Sequence, residues 1–377
     1  MQLIDQYLLK RFFRTLLVCF VSASGLYVVI DVFTNVEEFI ALGESQGGLG
    51  RAIVDYYGPR VAMIFDRAGP FLVLLAAMFT ITWLHRTNEL TALFAAGVSP
   101  RRIAQPLIGA ALVVIVVGLV NREWIIPNCR DRLSRDARDW RGEQGRPLFP
   151  RYDNRTGMLL NGHLAFAGEQ RVSDPRFSFE SPRDEFGRHV TAEKAYYRPA
   201  TADRPGGYLL DHVREPENID RLASLEIAER PVVLTPRDYP WLEKHQCFVV
   251  SDVDFEQLAG GASWRQFSST WQLVQGLRNP SLDFGADVRV EIHSRLVRPL
   301  LDLLLLLLGL PLAFNADQRN VFLAAGKGVL LTLGFILVVL ACQGMGAGYW
   351  VRPSFAAWAP VFIFVPLTVY LTDPLRQ

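Results

Sequence analysis

Residues 296–314 read LVRPLLDLLLLLLGLPLAF, and this stretch resumes a pattern that the preceding residues lack. A helix rises ~1.5 Å per residue, so about 20 apolar residues cross the ~30 Å hydrocarbon core of a bilayer. Comparable runs follow at Val321–Cys342 and Phe355–Leu371, and precede at Phe12–Phe33, Ala68–Leu84 and Ile103–Val120. Between the third and fourth runs lies Asn121–Arg295, rich in Arg, Asp, Glu and Pro, which has no place in lipid. The pattern predicts three membrane spans, one large extramembrane insert and three more spans.

The 377 residues are 50% hydrophobic and 20% charged, an average over two populations, because the charges concentrate in the insert and loops. Formal charge is +1 and the insert intersperses acids with bases, which argues against a nucleic-acid partner, since that would need a basic face. The four cysteines, Cys19, Cys129, Cys247 and Cys342, form no CxxC pair and have no His at zinc-ligand spacing. Cys19 and Cys342 fall inside spans as small apolar side chains. A Cys129–Cys247 disulfide stays open if the insert faces an oxidising space.

Lys10, Arg11 and Arg14 precede the first run, as in a secretory signal, but Thr15–Ile30 exceeds the ~7–15 residues of a signal core and has no cleavage region. It reads as an uncleaved first span. Short-loop Lys and Arg set orientation. Lys10, Arg11 and Arg14, then Arg86, Arg101 and Arg102, then Arg319 and Lys327, and finally Arg376 share one side, the cytoplasm. Opposite them, Arg51, Arg60 and Arg67 are diluted by Glu37, Glu38, Glu44, Asp55 and Asp66. Both termini are therefore expected in the cytoplasm and the insert outside it.

Within the insert, Met158–Ala167, Phe177–Glu180, His189–Tyr197, Tyr208–His212, Arg230–Leu234 and Phe248–Phe255 read as strands. Ser181-Pro182-Arg183-Asp184 and Arg204-Pro205-Gly206-Gly207 read as turns. Many short strands with such turns suggest an all-β sandwich or jellyroll-like sheet. Its flanks look helical: Arg130–Arg141, and Ser263–Leu277 with Trp264, Phe267, Trp271 and Val274 at intervals of three and four. That aromatic stripe reads as packing first, with an interfacial helix as the alternative.

His85–Arg102, between spans 2 and 3, is the most structured short loop. Asn88 suits an N-cap and Glu89 the first turn, where it meets the positive end of the helix dipole. Leu90, Leu93, Phe94 and Gly97 then recur at i, i+3, i+4 and i+7. Gly97 can end the helix, and Ser99 with Pro100 can begin the next. A short amphipathic helix over 88–97 follows. It is either a connector packed on its own spans or a docking element for a cytoplasmic partner.

Catalytic and nucleotide-binding signatures are absent. Gly326-Lys327-Gly328 lacks phosphate-loop spacing, there is no HExxH or GxSxG, and six His are scattered without ligand spacing. No metal, cofactor or catalytic residue is therefore assigned. Arg298 and Asp302, at i and i+4 in the fourth span, are a possible intramembrane pair, with a structural reading favoured by their nearness to the interface. Any uphill movement then draws its energy from another subunit.

Several segments, in this order and spacing, resemble the LptF/LptG permease family, the membrane subunits of the lipopolysaccharide-exporting ABC transporter. They are residues 3–11 (LIDQYLLKR), 89–100 (ELTALFAAGVSP), 190–195 (VTAEKA), 290–296 with Pro299-Leu300, 308–313 (LGLPLA) and 353–360 (PSFAAWAP). The resemblance implies a periplasmic β-jellyroll insert and two such permease subunits forming a transmembrane cavity. It also implies a cytoplasmic LptB-like ATPase, with the loop as its coupling helix and Glu89 matching the family's acidic contact residue. Spans 1 and 5 of opposite subunits would form a lateral gate for lipid, and an LptC/LptA-like periplasmic jellyroll protein would receive it. The end of span 1, Asp31–Glu38, departs from the family by carrying no Lys or Arg, so no headgroup residues are assigned.

The resulting expectation is an inner-membrane permease subunit that extracts lipopolysaccharide or a related glycolipid. Its parts would be a membrane half at 1–122, a periplasmic domain at 123–290 and a second membrane half at 291–377. The alternative is a membrane-anchored periplasmic binding or scaffold protein without transport activity.

Overall fold

Long uninterrupted apolar segments satisfy their backbone groups internally only as helices or closed barrels. In the computed structural model, which describes residues 3–40, 48–134, 145–183, 186–201, 204–227, 230–314 and 321–372, they are helices. Six of the described helices are long and apolar enough to cross a membrane. These are α1 (Leu3–Thr34), α2 (Leu49–Arg86), α4 (Pro100–Val120, continued by a π-helical turn at Asn121–Ile125), α9 (Ala286–Phe314), α10 (Val321–Ala347) and α11 (Pro353–Thr372). The short α3 (Glu89–Ala95) joins α2 to α4. All six expected spans lie inside these helices, most of which run past the apolar runs. α9 begins ten residues before Leu296, and Val288, Val290 and Ile292 in that extension are already buried.

The chain divides into two compact units, residues 1–129 with 285–377, and residues 130–284. In the first, Leu74, Met78 and Ile81 of α2 share a core with Leu107 and Ala111 of α4 and with Leu304, Leu305 and Leu308 of α9. Small residues let such helices approach closely. A Cβ on Gly309 would lie 2.1 Å from Leu74 Cδ1, so any larger residue there would force that leucine methyl to move. The outer faces remain apolar, as on Leu17, Val18 and Val21 of α1 and Leu330, Leu333 and Leu337 of α10.

The second unit holds one open eleven-stranded sheet whose pairings are all antiparallel. Its strands are β1 (Arg146–Pro147), β2 (Arg151–Asp153), β3 (Met158–Asn161), β4 (Leu164–Phe166), β5 (Arg171–Ser173), β6 (Arg176–Arg183), β7 (Gly187–Arg198), β8 (Gly207–Glu215), β9 (Leu225–Ile227), β10 (Arg230–Leu234) and β11 (Cys247–Val250). The long β7 organises it. One edge pairs with β8, while the other pairs first with β6 and then with β5, so β6-β3-β2 and β5-β4-β1 form two branches. Burial parity along β7 changes between Ala192 and Ala195, where the partner passes from β6 to β5. That switch is why the sequence alternates only partly here.

Several local expectations change. Met158–Ala167 is two strands, and Phe248–Phe255 ends as a strand at Val250. Pro182 lies within β6 rather than in a turn, in a stretch between Ser178 and Arg183 where pairing with β7 lapses and no N–H is required. The expected helix at 263–277 is two, α7 (Gly261–Phe267) and α8 (Thr270–Arg278), after the short α6 (Phe255–Ala259). Ser268 is extended, and Ser269 begins α8 with a reciprocal capping box to Gln272. Trp264 stacks on Phe284 at 5.2 Å, and Phe267 is buried with it. Trp271 is 61% exposed, so the stripe is only partly packing. Helix is described at Arg130–Leu133 (α5), and residues 135–141 of the expected helix lie outside the described residues, as do Glu44, Asp184, Arg319 and Arg376. All four cysteines are free thiols.

Candidate functional site

The α2–α4 connection is built from its stop signal. Gly97, at φ +78°, donates its N–H to the Phe94 carbonyl at 2.9 Å, and Val98 donates to Leu93 at 3.0 Å. This pair of bonds is a Schellman motif, which favours glycine because the left-handed conformation crowds a Cβ. Leu93 and Val98, its flanking apolar residues, both pack against the membrane core. At the other end the expectation fails in one respect. Asn88 is itself left-handed (φ 59°) and makes no side-chain capping bond.

The short helix divides its residues between two faces. Leu90 is fully buried and Leu93 half-buried, anchoring α3 to its own spans. Thr91, Ala92, Phe94, Ala95, Ala96 and Gly97 are exposed, leaving a shallow outward surface whose single large side chain is Phe94. The Glu89 carboxylate accepts a 2.8 Å hydrogen bond from the Tyr7 hydroxyl of α1. Arg11, one turn along, lies 4.3 Å from the Trp83 ring centroid. Asp5 pairs with Arg102 at 2.8 Å. Glu89, Leu90, Leu93, Phe94 and Gly97 are thus brought together on a helix of two turns and its stop, tied to the first turns of α1.

About 20 residues further along α2 and α4, roughly 30 Å of helix, a second constellation is partly buried, with Asp66 and Arg295 its most enclosed members. Arg122 reaches Asp66 at 2.7 Å and Glu291 at 3.3 Å. Glu291 also accepts from Arg295 at 2.9 Å. Arg298 bonds the Asp66 carboxylate at 3.3 Å and the Asp66 backbone carbonyl as well. The hydrogen bonds of Arg298 therefore go to Asp66, while Asp302 lines the same cleft. The π-helical turn presents Arg122, and its neighbour Asn121 donates to the Ala62 carbonyl at 2.8 Å. Pro127, whose ring crowds the carbonyl four residues back, gives a reason for the widened turn. Sequence reading missed Asp66, Arg122, Glu291 and Arg295 as one group because, apart from Glu291 with Arg295, the contacts that join them to one another and to Arg298 span 56 to 232 positions. At the far end of α1, Asp31 accepts from Tyr57 at 2.6 Å.

Neither place is equipped for bond-breaking chemistry. The first is a small surface on a rigid stop, and the second pairs three arginines with acids in a packed helical body. Among the described residues no group of His, Cys, Asp or Glu is arranged to hold a metal ion. A family model described as lipopolysaccharide export system permease LptF/LptG matches residues 6–149 and 226–373. No curated protein matches the chain.

Proposed function

The chain belongs to the LptF/LptG family of lipopolysaccharide export permeases, as a membrane permease subunit with a periplasmic β-domain, and from this premise we propose that a separate ATPase docked on α3 drives it. The family match across both helical halves carries the permease reading over that of an anchored scaffold. It is a transport subunit, not an enzyme.

In this proposal the α2–α4 connection faces the cytoplasm, with both termini, and the membrane is the bacterial inner membrane. Phe94 and its small neighbours seat in a groove of an LptB-like ATPase, and Glu89 supplies the acidic contact. A second LptF/LptG-type subunit completes the cavity, and an LptC/LptA-like periplasmic protein accepts lipopolysaccharide or a similar glycolipid from the sheet domain. Residues 1–122, 123–290 and 291–377 act as the three working parts. The Arg298–Asp302 turn belongs to the cleft where α9 meets α2. The exposure of Phe94 on a helix otherwise anchored by Leu90 supports docking most directly, because isolated large apolar side chains on short rigid helices suit a partner groove.

Co-purification tests this. The wild-type chain should retain a co-expressed LptB-like ATPase in mild detergent, and Phe94→Asp should lose most of it at unchanged expression. Retention of the ATPase by Phe94→Asp would reject α3 as the docking element.

A further inference from the structure

The contacts around α3 carry an inference about how a push on that helix is delivered. Three different elements grip the first three turns of α1. Glu89 of α3 holds Tyr7 at 2.8 Å, Arg102 of α4 holds Asp5 at 2.8 Å, and Trp83 of α2 lies under Arg11 at 4.3 Å. Beneath these polar ties Leu8 and Phe12 are fully buried in the core that also takes Leu90 and Ile103. Further along, α1 changes character, with Leu17, Val18, Val21, Leu26, Val29 and Ile30 more than half exposed. The first turns of the helix are held by three elements, while further along more of its apolar surface is left exposed.

We propose that Tyr7 is a positioning residue that couples α3 to α1, so that the loop helix and the first turns of span 1 move as one block. The proposal rests on the reading of α3 as the ATPase contact. A displacement of α3 then reaches α1 directly through the Tyr7–Glu89 bond, instead of only through the packed core. Tyr7 binds neither nucleotide nor lipid in this scheme. It acts by holding Glu89 and α1 in one geometry, and the second carboxylate oxygen of Glu89 stays available to a partner.

The test uses the assembled transporter, this chain with its permease partner and ATPase, in proteoliposomes containing lipopolysaccharide. Tyr7→Phe keeps the ring beside Arg11 and removes only the hydroxyl. ATPase binding and basal hydrolysis should stay at the wild-type level. Lipid released per ATP hydrolysed should fall by about threefold to tenfold, the range one partly exposed hydrogen bond covers. Unchanged lipid per ATP would overturn the proposal, and so would weakened docking, which would make Tyr7 part of the docking surface. If the wild-type assembly itself fails to bind the ATPase through α3, the underlying reading has failed instead. Should Tyr7→Phe not assemble, Asp5→Cys with Arg102→Cys, joined by a short bis-maleimide that adds to both thiols, with Cys19 and Cys129 changed to alanine, decides the matter. One moving block tolerates this link and keeps exporting. Loss of export with docking intact means that α1 and α4 must separate, and overturns it.

Discussion

The two ends of the helical body are held in opposite ways. Around α3 the ties are two separate contacts, one hydrogen bond from Tyr7 to Glu89 and a two-pronged pair between Arg102 and Asp5. At the other end Asp66, with its side chain only 5% exposed, is shared by Arg122 and Arg298, and Glu291 links Arg122 to Arg295. A single exposed hydrogen bond such as Tyr7–Glu89 is worth little, since water competes for both partners. Removing one member of a buried network leaves charges stranded, which costs several times more. The contrast suits a machine with a firm pivot at one end and an adjustable input at the other.

The largest effect should come from breaking the firm end. Asp66→Ala leaves Arg122 and Arg298 without their shared carboxylate, at a cost of about 3–5 kcal/mol. Detergent melting of the purified chain should show a large loss of stability, whereas Tyr7→Phe should leave the melting curve nearly in place. Equal losses would erase the contrast. A smaller effect is expected at the stop of α3. Gly97→Ala meets no neighbour, since nothing lies within 4 Å of the added Cβ, so it tests backbone strain alone. At φ +78° it should cost about 1 kcal/mol of folding stability, read as a small drop in the detergent melting temperature. Gly97→Asn, which tolerates the left-handed region, should recover much of that loss.

The smallest effect gauges what one exposed contact is worth in the sheet unit. Asp238 accepts a 2.6 Å bond from the Ser224 backbone N–H, and that bond holds its carboxyl below the ordinary value. A carboxyl lowered by folding adds stability above its unfolded pKa of about 3.9, and the gain is lost as pH falls through the lower folded value. Acidification below about pH 4 should therefore destabilise the wild-type chain slightly more than Asp238→Asn. Identical melting profiles from pH 6 to pH 3 would discount the contact.

The membrane body was legible because apolar length is a composition signal that needs no partner to be read. The α3 segment was legible too, since Leu90, Leu93 and Phe94 recur at helical spacing and Gly97 marks the stop. What periodicity could not say is which side each residue faces, and Leu90 turned inward while Phe94 turned outward. The Asn88 cap failed because its backbone, not its side chain, makes the bend. β1, β2, β5 and β9 span two or three residues, too few to display alternation. The arginine network was hidden for a different reason. Arg298 shows an acid at i+4 in the sequence, but its hydrogen bonds run to Asp66, 232 positions away.

The central claim is that the energy for lipid movement enters from a separate ATPase through α3. Its most direct measurement is ATP hydrolysis by the reconstituted assembly with and without lipopolysaccharide, for the wild type and for Glu89→Ala. The chain alone should hydrolyse no ATP, the wild-type assembly should be stimulated by lipid, and Glu89→Ala should lose that stimulation. Hydrolysis by the chain alone, or full lipid stimulation in Glu89→Ala, would contradict the account.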